Sequence, residues 1–185
     1  CGSFYAIMIP VWALASKIVK KTLNTKQVPL LAIGAAFSFV IMMFNIPIPG
    51  GTTGHAVGGV LIAILLGPWA ACIAITVALT VQALLFGDGG ITALGANCFN
   101  LAFVLPFTGY YVYRAISYKS AIGSNRRAIA AGIAGYIALN IAAGLTGFEF
   151  GIQPLLHKTA SGQALYCPYG LKVALPVMLG EHILV

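Results

Sequence analysis

The apolar positions of the chain fall into seven runs, separated by short polar or glycine-rich stretches. A helix needs about 20 apolar residues to cross a bilayer, with a range of about 17 to 25. The runs cover residues 4–19, 29–46, 54–67, 69–86, 99–116, 128–150 and 171–185. The first and third are short, and the last is unfinished where the sequence stops. This pattern predicts an all-α integral membrane protein, folded as a compact bundle of about seven transmembrane helices.

Prolines and small residues refine this prediction. Pro29 opens the second helix, where its missing N–H costs nothing, and Pro106 is expected to kink the fifth. Helices in lipid gain no hydrophobic drive to associate, so they rely on close van der Waals packing. Small residues allow helix backbones to approach closely and therefore predict where helices pack. They are Gly34, Ala35 and Ala36 in the second run, and Ala131, Gly132, Ala134, Gly135, Ala138 and Ala142 to Gly144 in the sixth. With no repeat and no long linker, residues 1–185 are predicted to form a single transmembrane domain.

Composition supports a membrane location. The chain is 60% hydrophobic and 7% charged, whereas soluble domains carry about 25% charged residues. Its net charge of +7 does not indicate nucleic-acid binding, because the basic residues flank the apolar runs as membrane anchors do. The four cysteines lie far apart without a C-x-x-C motif, which favours free thiols over a pairing of Cys98 with Cys167.

The distribution of basic residues predicts the orientation. One set of alternate loops carries eight of them: Lys17, Lys20, Lys21, Lys26, Arg114, Lys119, Arg126 and Arg127. The other set carries only Lys158 and Lys172, so the first set is expected on the cytoplasmic side. The N-terminus and the loops 47–55 and 87–97 then face outward. The tyrosines beside Arg114 are expected to form a cytoplasmic aromatic belt: Tyr110, Tyr111, Tyr113 and Tyr118.

The candidate chemistry lies in these two outward loops. His55 stands among glycines, which allow close backbone approach, and its imidazole suits a borderline transition metal. The loops and the helix before the second loop also supply Thr53, Asp88, Asn97 and Gln82. Asp88 either accepts the imidazole N–H and fixes its tautomer or caps a glycine-rich turn. From the residues alone, His55 is either a metal ligand or a hydrogen-bonded turn residue at the lipid interface.

Four further ionisable groups lie in or near the last two helices. Glu181 and His182 fall near the middle of the membrane. Ionisable groups are energetically costly there, so their presence indicates a function. A hydrogen-bonded role inside the bundle, with His182 bonded to a polar loop residue, is favoured there over direct metal ligation. Glu149 and His157 are expected at the interface. No G-x-x-x-x-G-K-[ST], H-E-x-x-H or G-x-S-x-G motif is present, which disfavours an ATPase, a metalloprotease and a serine hydrolase.

Several motifs in order resemble one family. They are Gly51-Thr-Thr-Gly-His55-Ala-Val-Gly-Gly59, Gly67-Pro68, Gln82-Ala-Leu-Leu-Phe-Gly-Asp88-Gly-Gly90, Ala93-Leu-Gly-Ala-Asn97 and Asn100. They closely resemble the CbiM/NikM family, the substrate-binding membrane subunits of prokaryotic energy-coupling-factor transporters for cobalt and nickel. The resemblance implies a multi-pass subunit of the cell membrane that captures Ni(II) or Co(II) as transported substrate and has no cofactor of its own.

The resemblance also implies partners and ligands. The partners are a transmembrane coupling subunit and ATP-binding subunits, with a small accessory membrane subunit in some complexes. The ligands are His55 and an N-terminal Met-His, which supplies its amine, amide and imidazole nitrogens. This sequence begins Cys1-Gly-Ser-Phe-Tyr instead. A truncated chain with a weakened or empty site is therefore expected. Cys1 has an amine and a thiolate that could replace the missing nitrogens, but nothing in the sequence indicates that it does so.

Two other functions remain open from the sequence. One is an energy-coupling-factor binding subunit for an organic solute such as a vitamin, with Tyr110, Tyr111 and Trp69 lining an aromatic pocket. The other is a passive channel or a structural membrane subunit, in which His55 is an interfacial residue.

Overall fold

The computed structural model describes residues 2–48 and 52–183 and is almost entirely helical. The helices are α1 (Gly2–Thr22), α2 (Val28–Met42), α3 (Gly59–Leu66), α4 (Pro68–Val81), α5 (Leu94–Asn97), α6 (Leu105–Ile116), α7 (Asn125–Leu156) and α8 (Leu171–His182). Two short strands, β1 (Ile46–Ile48) and β2 (Thr52–Gly54), pair as an antiparallel hairpin. Cys1, the segment 49–51 and the last two residues lie outside the described part.

Each of the seven predicted apolar runs contains a helix, which confirms the all-α membrane bundle. Within the described ranges, five helical stretches are long and apolar enough to cross a membrane: Gly2–Thr22, Thr25–Met42, Pro68–Phe86, Ile91–Ile116 and Asn125–Leu156. Helix α3 has 8 residues, so at 1.5 Å per residue it spans only about 12 Å. The segment before Gly59 is therefore non-helical backbone inside the bundle. Its backbone N–H and C=O groups must be satisfied by neighbouring protein groups.

Four of the predicted segment boundaries are wrong. Helix α3 begins at Gly59 instead of residue 54, and helical backbone starts at Ile91, inside the predicted loop 87–97. Helix α2 ends at Met42, and Ile46–Ile48 turns back into the hairpin with Thr52–Gly54, where an open loop was expected. Helix α7 continues to Leu156, although residues 151–170 were predicted to be a loop. Packing explains this extension, because a Cβ on Gly151 would lie 2.7 Å from the Cα of Leu171, so the added turns rest directly on the start of α8.

Two wider, π-helical stretches interrupt the regular helices. Gln82–Phe86 continues α4, and Cys98–Val104 joins α5 to α6 into one rod. In the second stretch the N–H of Leu105 donates to the carbonyl of Asn100, five residues back. The irregularity thus precedes Pro106, the predicted kink position, which lies in the first turn of α6. Such bulges are frequent at functional sites, and both stretches here border the cavity described below.

Small residues pack the bundle on two faces of α7 and on α2. As predicted, Gly144 of α7 lies against Leu179 of α8, and Gly34 of α2 lies against Ile62 of α3. Ala134, Ala138 and Ala142 are buried against Val60 and Leu105, which confirms the predicted close approach. Gly132 and Gly135 meet nothing within 4 Å, so the prediction is wrong for them. The cysteine prediction is confirmed for the described residues: Cys72, Cys98 and Cys167 are free.

The two ends of the bundle differ in chemistry. Tyr5, near the start of α1, donates a hydrogen bond to the carbonyl of Ile91 and packs on Gly95. The start of α1 therefore lies at the same end as the turn that follows α4. From Asn100 to Arg114, the rod runs about 20 Å at 1.5 Å per residue toward the opposite, basic end.

Candidate metal-binding site

A cavity of about 210 Å³ opens at the less basic end of the bundle, between the loop after β2, the end of α4, the start of the α5–α6 rod, α7 and α8. Five of the six predicted site residues line it: His55, Gln82, Asp88, Asn97 and His182. The sixth, Thr53, pairs with Pro47 in the hairpin, while its side chain lies outside the described part of the structure. The predicted constellation is thus largely brought together in one cavity.

His55 lies in the non-helical segment between β2 and α3. Its Nδ1 is 3.3 Å from the carbonyl oxygen of Ala56. Because a carbonyl only accepts, Nδ1 carries the proton and donates, and Nε2 keeps its lone pair. Burial lowers the pKa of His55 below its ordinary value of 6.5; the Ala56 carbonyl and the charge of Asp88 oppose this effect in part. His55 is therefore a neutral imidazole at neutral pH, with one nitrogen available to a ligand.

A close backbone contact fixes the segment that carries His55. Gly58 lies against the side chains of Ser38 and Phe37 in α2, and a Cβ at this position would overlap the Ser38 hydroxyl. The same Cβ would lie 3.2 Å from a ring carbon of Phe37. The glycine is therefore required by close approach, and it anchors the loop to α2 three residues after the imidazole.

His182 supplies a second imidazole to the cavity. It is 7% exposed, and its Nδ1 lies 2.8 Å from the carbonyl oxygen of Met178, one helical turn back. By the same reasoning, Nδ1–H donates and Nε2 keeps its lone pair. The expected hydrogen bond to a polar loop residue is wrong, because a carbonyl of its own helix takes the proton instead. Two imidazoles in one cavity thus share the same tautomer.

The turn after α4 places the remaining predicted residues. Gly87 and Gly89 adopt left-handed conformations, with φ of 70° and 69°, and the N–H of Asp88 donates to the carbonyl of Gln82. Asp88 itself is exposed. Its predicted hydrogen bond to His55 is wrong, since the Ala56 carbonyl receives that proton. The carboxylate instead stands at the mouth of the cavity as a negative charge.

Sequence reasoning missed a polar network on the cavity wall. Asn100, which is 2% exposed, donates through Nδ2 to Thr146 Oγ1 and to Glu149 Oε1, each at 3.1 Å. Glu149 was expected at the interface, but it is half-buried and faces this amide. The Oδ1 atom of Asn100 is buried and has no partner among the described residues. The sequence signals were Asn100, which lies inside an apolar run and among the family motifs, and the ionisable Glu149; their pairing across two helices was not predicted.

The cavity alone does not form a complete metal site. Among residues 2–48 and 52–183, no group of three His, Cys, Asp or Glu side chains could hold a metal ion. The cavity offers two imidazole nitrogens, and transition metals take at least four ligands in most protein sites. Further donors would have to come from the carboxylate and amide oxygens that also line the cavity, from backbone or water, or from chain outside the described ranges.

The fold and this cavity define a multi-pass membrane protein with a polar-lined cavity inside one end of a helical bundle. The chain belongs to the CbiM family, described as the cobalt uptake substrate-specific transmembrane region, whose model matches residues 1–185. Membership confirms the resemblance noted in the sequence, and with it a multi-pass protein of a prokaryotic membrane.

Individual relatives support this assignment. The chain is 53% identical to the fused nickel transport protein NikMN of Rhodobacter capsulatus, covering 99% of this chain and 53% of that protein. It is 50% identical to the probable fused nickel transport protein LarMN of Lactiplantibacillus plantarum, covering 100% and 56%. It thus spans little more than half of these two relatives. A crystal structure of a truncated transition metal transporter matches with a TM-score of 0.94 and 53% identity, covering 100% of this chain and 85% of that one.

Proposed function

We propose that this chain binds nickel(II) or cobalt(II) in the cavity beside His55 and delivers it for uptake. The observation that carries the proposal is the pair of imidazoles, His55 and His182, which line one cavity with both Nε2 lone pairs unused. Neutral imidazole is a preferred ligand of both metals. The relatives named as nickel transport proteins favour nickel slightly.

Each cavity residue has a distinct role in this proposal. His55 is the metal ligand, and His182 is a second imidazole deeper in the bundle. The carboxylate of Asp88 attracts the cation to the mouth of the cavity, since charge near a cleft raises the local concentration of counter-ions. Gln82 and Asn97 present amide groups that hold water or orient ligands, and Thr53 remains a candidate on the adjoining hairpin.

The position of the cavity supports capture from outside the cell. Basic residues concentrate at the opposite end of the bundle, and that end is cytoplasmic by the positive-inside rule. We infer that metal enters from the extracellular face. The sequence contains no G-x-x-x-x-G-K-[ST] motif, so uptake uses the ATP-binding subunits and the coupling subunit of an energy-coupling-factor complex. A small accessory membrane subunit is a further partner, and the chain itself is not an enzyme.

No observation favours an organic solute. Trp69 packs on Phe107 with ring centroids 4.7 Å apart, while Tyr110 and Tyr111 pair with each other at 5.7 Å. These contacts do not test the joint aromatic pocket of Trp69 with these tyrosines, which stays a prediction of that alternative. Membership in a family described by cobalt uptake favours a metal over an organic solute.

Isothermal titration of Ni(II) and Co(II) into the detergent-solubilised chain tests metal binding. A version extended by an N-terminal Met-His should bind more tightly, as the family resemblance implies. In that version, His55→Ala should lower the affinity at least about 100-fold, because losing even a group that orients a ligand costs about 10- to 100-fold. His157→Ala is the matched control, since this exposed histidine lies outside the cavity. Equal affinities for the two variants would remove the proposal.

Uptake in cells tests the proposed partners. Cells that make the full complex should accumulate radioactive nickel with wild-type chain and with His157→Ala, but not with His55→Ala. A chain that binds nickel in the titration yet supports uptake without the ATP-binding subunits would refute the energy-coupling-factor assignment while leaving the metal site intact.

A further inference from the structure

A second cavity, of about 290 Å³, lies at the basic end of the bundle. Its lining comes from the ends of α3 and α6, the following turn and the first turn of α7. The lining residues are Ile64, Tyr110, Tyr113, Arg114, Ser117, Tyr118, Lys119 and Arg127. The tyrosines were predicted to form only an interfacial belt, but three of them face this cavity together with three cations.

The positive charge of this cavity is not neutralised within the chain. The sequence has three acidic residues, Asp88, Glu149 and Glu181, and none of them lines the cavity. Arg127 is half-buried, and its Nε is buried without an acceptor among the described residues. It also lies in the first turn of α7, where the positive end of the helix dipole favours an anion rather than a cation. The arrangement therefore calls for an anionic ligand.

We propose that this cavity binds the phosphate group of an anionic phospholipid from the cytoplasmic leaflet. Arginine matches phosphate through paired N–H donors, and tyrosine hydroxyls add neutral donors. Basic pockets between helices on this side of a membrane are a recognised form of headgroup binding. The bound phosphate would supply the acceptor that Arg127 Nε lacks.

The surroundings favour a lipid over a free anion. Ile64 gives the cavity one apolar side, and the next residue along α3, Leu65, is 58% exposed. Tyr111, which follows the lining residue Tyr110, is 61% exposed. Acyl chains attached to a bound headgroup would find such apolar side chains next to the lining residues. A free phosphate would gain nothing from them.

Native mass spectrometry of the chain in nonionic detergent tests the proposal with phosphatidylglycerol and phosphatidylcholine as probes. The wild-type chain should retain one phosphatidylglycerol in preference to phosphatidylcholine. Arg127→Gln should weaken this binding about tenfold or more, which corresponds to the loss of one hydrogen bond between charged groups. Arg114→Gln, an exposed side chain whose change leaves the core intact, should weaken it in the same direction.

Lys20→Gln is the matched control, because this exposed lysine ends α1 outside the cavity. It should bind phosphatidylglycerol like wild type. Equal retention of the two lipids, or equal weakening by Lys20→Gln and Arg127→Gln, would overturn the proposal. Displacement of the lipid by an equal concentration of inorganic phosphate would assign the cavity to a free anion. Unchanged lipid binding in both arginine variants would likewise overturn the proposal.

Discussion

Gly58 offers a sharp test of how the fold positions His55. Replacing it with alanine places a methyl group on the Ser38 hydroxyl and 3.2 Å from Phe37. Inserting a methyl into such a contact costs about 1–3 kcal/mol, as overpacking does in protein cores. For a chain of this size, that corresponds to a fall in Tm of roughly 2–12 °C. Either the buried Ser38 and Phe37 side chains or the loop must shift to relieve the clash, and a shift of the loop away from α2 lowers the metal affinity as well.

A second substitution can relieve this clash. The Ser38 hydroxyl is buried and has no hydrogen-bond partner among the described residues, so Ser38→Ala alone should be tolerated. In the double variant Ser38→Ala/Gly58→Ala, the serine substitution should recover most of the Tm and most of the nickel affinity that Gly58→Ala loses. Gly132→Ala is the control, since a Cβ there meets nothing within 4 Å. Thermal melting and nickel titration of all four variants measure these effects. A Gly58→Ala chain that melts and binds like Gly132→Ala would refute the close-approach argument.

Three further predictions concern the cavity. The contribution of His55 to nickel affinity is measured as the ratio of the affinities of the wild-type and His55→Ala chains at each pH. Because burial lowers the pKa of His55, this ratio should stay level down to pH 6.5 and fall about tenfold per pH unit only below the lowered value; a fall beginning above pH 6.5 would contradict this. Asn100→Ala removes the amide donor of the Glu149 carboxylate. The free energy of unfolding should fall by about 1–3 kcal/mol, measured as a lower Tm, whereas an unchanged Tm would show that the network does not stabilise the fold. Asp88→Asn should slow nickel association in stopped-flow measurements and weaken its salt dependence, with an unchanged dissociation rate; faster dissociation would make Asp88 a direct ligand.

Hydropathy and loop chemistry predicted most of the architecture and much of the site. The seven apolar runs correspond to seven helical segments, because the need to satisfy backbone polar groups inside a membrane leaves few alternatives to a helix. Counting alternate loops placed the loops of His55 and Asp88 at one end, and both residues do line one cavity. These features follow from local composition and from the order of the segments.

The features that could not be predicted depend on contacts between distant residues. Asn100 and Glu149 are 49 positions apart, and no spacing rule connects an amide in one helix with a carboxylate in another. The tautomer of His55 depends on whether the Ala56 carbonyl or the Asp88 carboxylate is nearer, which only the folded loop decides. The hairpin at Ile46–Ile48 was missed because Ile46 continued the apolar run 29–46 and the glycine-rich residues that follow Ile48 indicated an open loop.

Anomalous X-ray scattering at the nickel edge tests the metal site most directly. Crystals of the chain extended by an N-terminal Met-His, soaked in Ni(II), should show one peak about 2 Å from Nε2 of His55, a typical metal–imidazole distance. The peak should be absent beside Nδ1, because that nitrogen donates its proton to Ala56. A nickel peak elsewhere in the bundle, or no peak beside the His55 ring, would contradict the assignment of this cavity as the metal site.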